Sequence, residues 1–350
     1  MKAPRSSRRP LIGLLVVALA LTLSATACGS DDDPGSNAAG GGQDPDGQSD
    51  AEAESGDAAT DTGDDDGDSP AGDDEAGSAA GDFPREVETA AGTVLIEARP
   101  DSIVSLSPTA TEMLFAIDAG EQVAAVDLYS NYPPEAPEGT LDGFVPDLEA
   151  ILADRPDLVV ASGLPEDVAA GLGDSGVVVM LMPAAESFAD TFDQIAQLGE
   201  ATGRIDEAAA LNAEIRAGID EVLADLPKAD TPVRVFHEID DSFYTATSAS
   251  FIGQVYQTMG FVNIADPLDD GTGFPLIDGE SILAADPSLI VFTSQAPYTA
   301  EEIAARPGWS GITAVARGNI VQVDADIASR WGPRIVEFMR AIADVVAVKS

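Results

Sequence analysis

Asp147-Leu-Glu-Ala-Ile-Leu-Ala-Asp-Arg-Pro156-Asp-Leu-Val-Val returns further along the chain as Asp278-Gly-Glu-Ser-Ile-Leu-Ala-Ala-Asp-Pro287-Ser-Leu-Ile-Val. In each copy an Asp suited to N-capping opens a short apolar helix, a proline marks the turn, and a run of apolar residues supplies a buried strand. Glu149 and Glu280 hold the same place in the two copies, 131 residues apart. A repeat at that spacing predicts two similar α/β lobes, each presenting one carboxylate at an equivalent position.

Working outward from the first copy, residues 83–96 read as a hairpin around Ala91-Gly92, and 102–106 as a short strand. A helix follows from Pro108, with Thr109 and Glu112 spaced as a capping box. Strands are predicted at 123–126, 158–161 and 177–182. Between the first two lies a Pro-rich loop holding Tyr129 and Tyr132. The pattern changes at 187, where Phe188, Phe192, Ile195 and Leu198 recur at helical spacing. Residues 206–226 then predict a helix roughly 30 Å long, the span of a small domain and a natural strut. Strands return at 233–239, 289–292 and 319–323, with a helix at 250–259, short helical pieces on either side of Trp309, and a closing helix over 333–346. Strands alternating with helices imply mostly parallel sheets covered on both faces. The expected architecture is α/β: an N-terminal lobe at 83–185, an interlobe helical region at 186–228 and a C-terminal lobe at 229–350.

Two segments of another kind precede the lobes. Residues 1–27 carry Lys2, Arg5, Arg8 and Arg9, an apolar run at 11–23, and small residues up to Cys28, the pattern of an export signal. Cys28 is the chain's one cysteine, so no intrachain disulfide is available and the fold rests on its core. Its place after the apolar run resembles the lipobox of bacterial lipoproteins. That implies lipidation at Cys28 and an extracytoplasmic protein anchored to the outer face of the cell membrane; the alternative is a secreted protein with an incidental cysteine. Residues 28–82 hold 18 carboxylates and no Lys, Arg or aromatic residue. Such a stretch buries too little apolar surface to offset its chain entropy, so a disordered, self-repelling tether is expected. Residues 83–350 are acidic too, with 44 Asp and Glu against 13 Lys and Arg. This balance argues against nucleic acid as a partner and against docking on anionic lipid.

Five stretches, in order, carry a family resemblance: Ser102-Ile-Val-Ser-Leu-Ser-Pro-Thr-Ala-Thr-Glu-Met-Leu, the Tyr132-Pro-Pro loop, Leu148-Glu-Ala-Ile-Leu with Pro156-Asp-Leu-Val, Ser250-Phe-Ile-Gly with Gly260-Phe-Val-Asn-Ile-Ala, and Gly332-Pro-Arg-Ile-Val-Glu. Together they resemble the iron–siderophore and cobalamin substrate-binding proteins of ABC importers. The resemblance implies a class III periplasmic-binding-protein fold, two Rossmann-like lobes joined by a single long helix with the ligand in the cleft between them. It also implies a permease dimer with its ATPase as partner, onto whose arginines Glu149 and Glu280 dock. The plain physical reading of each glutamate is a first-turn carboxylate behind an Asp N-cap, stabilising its helix by roughly 0.3–1 kcal/mol. Both readings hold together. A monomer is expected, with no cofactor and no resident metal.

Open parallel sheets bind ligands at the carboxyl ends of their strands. The loops there hold Ser107, Thr109, Tyr129, Tyr132, Phe144 and Leu164 in the first lobe. In the second they hold His237, Tyr244, Phe274, Tyr298, Arg330, Trp331 and Arg334. Aromatic faces with a few fixed polar groups suit a large, flat or greasy ligand. By the resemblance, the positions of Tyr132 and Phe144 approach it. Guanidinium forks suit carboxylates and phosphates, so Arg330 is the expected receptor for an anionic ferric chelate, while Arg334 serves equally as a structural partner. His237, the one histidine, is either a satisfied structural group or a ligand to haem iron. The expected ligand is a metal chelate: a ferric siderophore first on the arginines, cobalamin next on Tyr132 and Phe144, haem third. Two other classes compete with capture. An enzyme would have to build a Ser–His–Asp set on His237, and the sequence has neither a Gly-x-Ser-x-Gly elbow nor a phosphate-binding glycine loop. A tethered scaffold or lectin is the other. Capture without chemistry is the leading expectation.

Overall fold

The computed structural model describes residues 83–227 and 231–348. The export signal, Cys28 and the acidic stretch to 82 lie outside the described residues. An antiparallel hairpin, β1 (Arg85–Thr89) and β2 (Gly92–Ile96), opens the first lobe. Its main sheet comprises β3 (Ile103–Leu106), β4 (Val123–Val126), β5 (Leu158–Ala161) and β6 (Val178–Leu181), all parallel, in the order β4-β3-β5-β6. The second lobe holds β7 (Arg234–Glu238), β8 (Val262–Asn263), β9 (Leu289–Thr293) and β10 (Ile320–Val323), again parallel, in the order β10-β9-β7-β8. In both sheets the first strand of the lobe lies between the second and the third, with the fourth outside the third. The sequence repeat therefore extends to the topology. Helix α2 (Leu148–Ala153) feeds β5 and helix α7 (Gly279–Ala285) feeds β9, the third strand in each lobe. Connections reverse direction between first and third strands, which opens a crevice at their carboxyl ends.

Strands β3 and β5 are buried on both faces, as parallel strands between helical layers must be. Val104, Val159 and Ala161 face an outer core under α3 (Glu166–Asp174), and Phe236, Ile290 and Phe292 face an outer core around Trp309, which lies between α8 (Ala300–Ala304) and α9 (Thr313–Arg317) in the chain. Between the sheets runs one continuous core. It passes from Ile103, Leu158 and Val160 through Ile195, Leu198, Ile215 and Ile219 to Val235, Val291 and Phe338. Helices α1 (Pro108–Ala116), α4 (Phe188–Thr202), α5 (Ile205–Asp225), α6 (Phe251–Thr258) and α11 (Ile335–Val348) supply its helical walls.

The strut is α5, 21 residues long. Gly203, at φ 74°, ends α4 in the left-handed conformation, and the chain re-enters a helix two residues later. Close approach fixes α5 at both ends. A Cβ on Gly199 of α4 would lie 2.5 Å from the Ala208 Cβ, and one on Gly218 would lie 3.0 Å from both Val336 methyls of α11. The strut is thereby packed tightly on α4 at one end and on α11 of the second lobe towards the other. No helix of the described residues is long and apolar enough to cross a membrane.

One local expectation is corrected. Ser107, not Thr109, caps α1, accepting from the Ala110 N–H at 3.4 Å, with Pro108 at the first helical position that proline favours. The shift takes Glu112 out of the first turn and onto a buried face. Three elements that the periodicity does not announce are α3, the two-residue β8 and α10 (Ala325–Ser329).

Candidate ligand cleft

The loop after β4 builds the first wall. Asp127 is buried, and its Oδ1 accepts the Tyr129 N–H at 2.8 Å. Burial raises the Asp127 carboxyl above its ordinary pKa, against the lowering effect of hydrogen bonds from Tyr129 and Ser130 and of the Arg330 charge. The chain doubles back over this residue so closely that a Cβ on Gly139 would collide with the Asp127 carbonyl. At the loop's end, Asp142 Oδ1 accepts from the N–H groups of Phe144 and Val145 at 2.8 and 2.9 Å, an Asx turn that turns both side chains outward. The result is an edge-to-face pair, Tyr129 on Phe144 with centroids 5.1 Å apart, 49 % and 79 % exposed respectively. Leu128 and Val145 stand exposed beside it.

The loop after β7 builds the second. Asp240 Oδ1 accepts the Ser242 N–H at 2.9 Å, and Phe243 adopts φ 68°, with its ring stacked on Trp309 at 5.7 Å. A non-glycine residue in that region costs roughly 1–2 kcal/mol. The turn sends Phe243 into the outer core and Tyr244 outward. Tyr244 pairs by an isolated bridge with Leu276 and stacks on Phe274 at 6.4 Å. Each lobe thus presents an aromatic pair flanked by aliphatic side chains at the carboxyl end of its sheet, with Phe274 the half-buried member of the second.

The segment 326–334 of the second lobe crosses to the first and binds it. Glu112 Oε1 accepts from Arg330 Nη1 at 2.7 Å and from Arg334 Nη2 at 2.5 Å, while Oε2 accepts from Arg334 Nε at 2.8 Å. Arg330 Nη2 also donates to the Tyr129 carbonyl at 3.0 Å and pairs with Asp326 at 3.1 Å. The Arg334 guanidinium lies 4.1 Å over the Tyr132 ring. Trp331 Nε1 donates to Gln194 Oε1 at 2.8 Å, and Asn131 Nδ2 to Asp326 Oδ2 at 2.8 Å. Arg330, at 7 % exposed, is committed to these partners. The expectation that it receives an anionic chelate gives way to a structural one: its Nη1 and Nη2 are held by Glu112, Asp326 and the Tyr129 carbonyl. Trp331, half-buried, belongs to the same clasp.

His237 lies 1 % exposed on β7, its Nδ1 2.7 Å from the Tyr256 hydroxyl. Burial pushes its pKa down to about 4. It lies on the side of Val235 and Tyr256 in the central core, and its Nε2 has no hydrogen-bond partner among the described residues; this burial suits a structural group over a haem ligand. Tyr298 stacks on Phe292 in the outer core and faces Arg306, which makes a bidentate pair with the fully buried Glu238 at 2.5 and 2.7 Å. Leu164 packs against the outer core of the first lobe. Ser107 and Thr109 are buried, the former also accepting from Ser162 Oγ at 2.9 Å. Of the expected contacts, the structure leaves Tyr129, Tyr132, Phe144 and Tyr244 exposed on these loops, with Phe274 half-buried beside Tyr244. Leu128, Val145 and Leu276, exposed alongside them, carry no sequence signal beyond their loop positions. A hollow of about 540 Å³ opens between α1, α5 and α11, and Glu112, Tyr132 and Arg334 of the clasp form part of its lining.

Glu149 and Glu280 are both exposed, each the second residue of its helix. Asp147 caps α2 through the Ala150 N–H at 2.7 Å and Asp278 caps α7 through the Ser281 N–H at 2.8 Å. These N–H bonds hold the Asp278 carboxyl below its ordinary pKa. The geometry is equivalent in the two lobes, as the repeat predicts.

A family model described as "periplasmic binding protein" matches residues 103–327. The uncharacterized ABC transporter substrate-binding lipoprotein YvrC of Bacillus subtilis is 29 % identical over 274 residues, 75 % of this chain and 86 % of its own. A cobalamin-binding protein of Halobacterium salinarum is 29 % identical over 273 residues, 75 % of this chain and 74 % of its own. Among solved structures, a possible iron-binding periplasmic solute-binding protein from Staphylococcus epidermidis superposes with a TM-score of 0.61 at 27 % identity, covering 71 % of this chain and 99 % of that one. Two parallel lobes of one topology, a single strut and a match through both lobes make this chain a member of the periplasmic binding protein family.

Proposed function

We propose that this protein captures a corrinoid between its lobes and delivers it to an ABC permease. The coarse function, a substrate-binding protein of an ABC importer acting outside the cytoplasm, follows from family membership. The ligand class rests on one observation: each lobe shows an aromatic pair at its surface, the exposed Tyr129 with Phe144, and the exposed Tyr244 stacked on a half-buried Phe274. Aromatic surface on both lobes suits a macrocycle whose rim carries methyl groups and neutral carboxamides. The charge balance supports the same reading. Arg330 and Arg334 are paired with Glu112, and a domain with 44 acidic residues against 13 basic ones repels an anionic ferric chelate. The relative from Halobacterium is named for cobalamin.

Binding involves no bond making in the protein. Glu149 and Glu280, one on each lobe, dock the loaded domain on a permease dimer, and a lipid on Cys28 keeps a monomeric domain near it. Thermal unfolding against a panel of cyanocobalamin, a neutral ferric hydroxamate, an anionic ferric catecholate and haemin tests the ligand class, since binding adds stability as RT ln(1 + [L]/Kd). Cyanocobalamin is expected to raise Tm and the catecholate to leave it unchanged. The reverse order sinks the corrinoid reading.

A further inference from the structure

We propose that Glu112 is a positioning residue for the ligand, acting through Arg330 and Arg334 on the Tyr129–Tyr132 loop. The inference rests on the reading of the Tyr129–Phe144 pair as a ligand-facing wall. It concerns a buried residue behind the loop and not on its exposed surface.

The loop from 127 to 147 has no regular secondary structure, so its shape is set by tertiary contacts. Backbone bonds hold part of its first six residues: the N–H groups of Asp127, Leu128 and Ser130 donate to the carbonyls of Ser105, Leu141 and Asp127 at 3.0, 2.8 and 3.1 Å, and Asn131 N–H donates to the Tyr129 carbonyl at 3.0 Å. Five further contacts involve side chains. Asp127 Oδ1 accepts the Tyr129 N–H at 2.8 Å, and Ser130 Oγ meets Thr111 Oγ1 at 2.9 Å. The remaining three come from the other lobe: Arg330 on the Tyr129 carbonyl, Asp326 on Asn131, and Arg334 on the Tyr132 ring. Both arginines are aimed by the same carboxylate. Glu112 occupies three of their N–H groups, which leaves Arg330 Nη2 facing the Tyr129 carbonyl and Asp326, and leaves the Arg334 plane against Tyr132.

Stability alone does not account for a triad of this kind, because well-packed apolar side chains of equal volume serve a buried site as well or better. What the charges add is direction. A planar guanidinium held at two edges has one orientation, and each of its free faces and edges is then fixed too. Glu112 thereby pins one tyrosine through its backbone and another through its ring, from across the interlobe boundary. A wall set before ligand arrives loses less freedom on binding, so affinity depends on this carboxylate without contact.

The test labels the five tyrosines of the full chain with 3-fluorotyrosine, assigns the lines by single Tyr→Phe variants, and reads 19F spectra together with cyanocobalamin titrations. In Glu112→Gln the Tyr129 and Tyr132 lines are expected to shift or broaden, while those of Tyr244, Tyr256 and Tyr298 stay. Affinity is expected to fall by about tenfold through lost preorganisation. Arg334→Lys keeps the charge and removes the planar stack, so it serves if Glu112→Gln does not fold; there Tyr132 alone is expected to move. Wild-type tyrosine lines in both variants, or an unchanged affinity in a Glu112→Gln protein whose Tyr129 and Tyr132 lines have moved, overturn the proposal. Failure of the wild type to bind cyanocobalamin overturns the corrinoid reading instead, and the spectra still decide whether Glu112 sets the loop.

Discussion

Arg334 of the second lobe meets Glu112 of the first with 222 positions of sequence between them, and the same guanidinium covers the ring of Tyr132. A buried carboxylate that accepts from two arginines ties the lobes together independently of the α5 strut. Its side chain is 2 % exposed, with Arg330 at 8 % and Arg334 at 13 %. Removing one member leaves uncompensated charge in a place water does not reach. Glu112→Ala is expected to destabilise the fold by about 3–5 kcal/mol, while replacing Glu112, Arg330 and Arg334 together by apolar residues of similar volume restores most of that loss. Urea unfolding of the two variants measures the difference. A triple variant as unstable as the single one contradicts this account of the cluster.

The exposed aromatics bear on affinity rather than on folding. Phe144→Ala and Tyr244→Ala each remove a ring that packs mainly on one other ring. Each is expected to weaken corrinoid binding roughly tenfold and to shift the unfolding midpoint little. Paired titration and thermal unfolding separate the two effects; a large loss of stability with unchanged affinity places these rings in the fold and not at the ligand.

His237 sets an acid limit on stability. Folded, its imidazole stays neutral down to about 4, whereas in the unfolded chain it takes up a proton near 6.5. Between those values the unfolded state binds more protons, so stability falls as pH falls through the window. The contribution is about 3 kcal/mol by the bottom of it. His237→Gln keeps a polar partner for Tyr256 and removes the titration. Stability measured from pH 7 to pH 4 is expected to decline less steeply in that variant, and an identical slope rules the residue out.

Glu149 and Glu280 sit in first helical turns that their neighbours Asp147 and Asp278 already cap. Replacing both by Ala is expected to cost no more than about 1 kcal/mol per helix. Ligand affinity is expected to stay at the wild-type value while uptake in cells is lost. Loss of affinity in the purified double variant moves these residues from the docking surface into the cleft or the fold.

The features legible in the sequence were those with a local period. The repeat at 147–160 and 278–291, the strut and the parallel strands all announce themselves through spacing of apolar residues, and the structure places them within a residue or two. Pairings between distant positions have no such period. Glu112 reads locally as a capping-box partner of Thr109, and only the arrival of Arg330, 218 positions later, shows what its carboxylate binds. The same limit applies to Arg330 itself: a rare cation in an acidic chain suggests a ligand, and the fold supplies a carboxylate. Tyr129, Phe144 and Tyr244 were legible as loop aromatics, but Tyr298 and His237 share that description and are turned into the core. The side of the sheet on which each lands depends on strand register and on turns such as that at Phe243, which composition does not report.

Titration of the purified full chain with cyanocobalamin and with an anionic ferric catecholate, each at low and high salt, tests the central claim most directly. Aromatic walls with the arginines already paired predict one-to-one binding of cyanocobalamin with an affinity that salt leaves unchanged, and no binding of the catecholate. Preferred binding of the catecholate, with an affinity that falls as salt rises, would contradict the account: it would return Arg330 and Arg334 to the ligand.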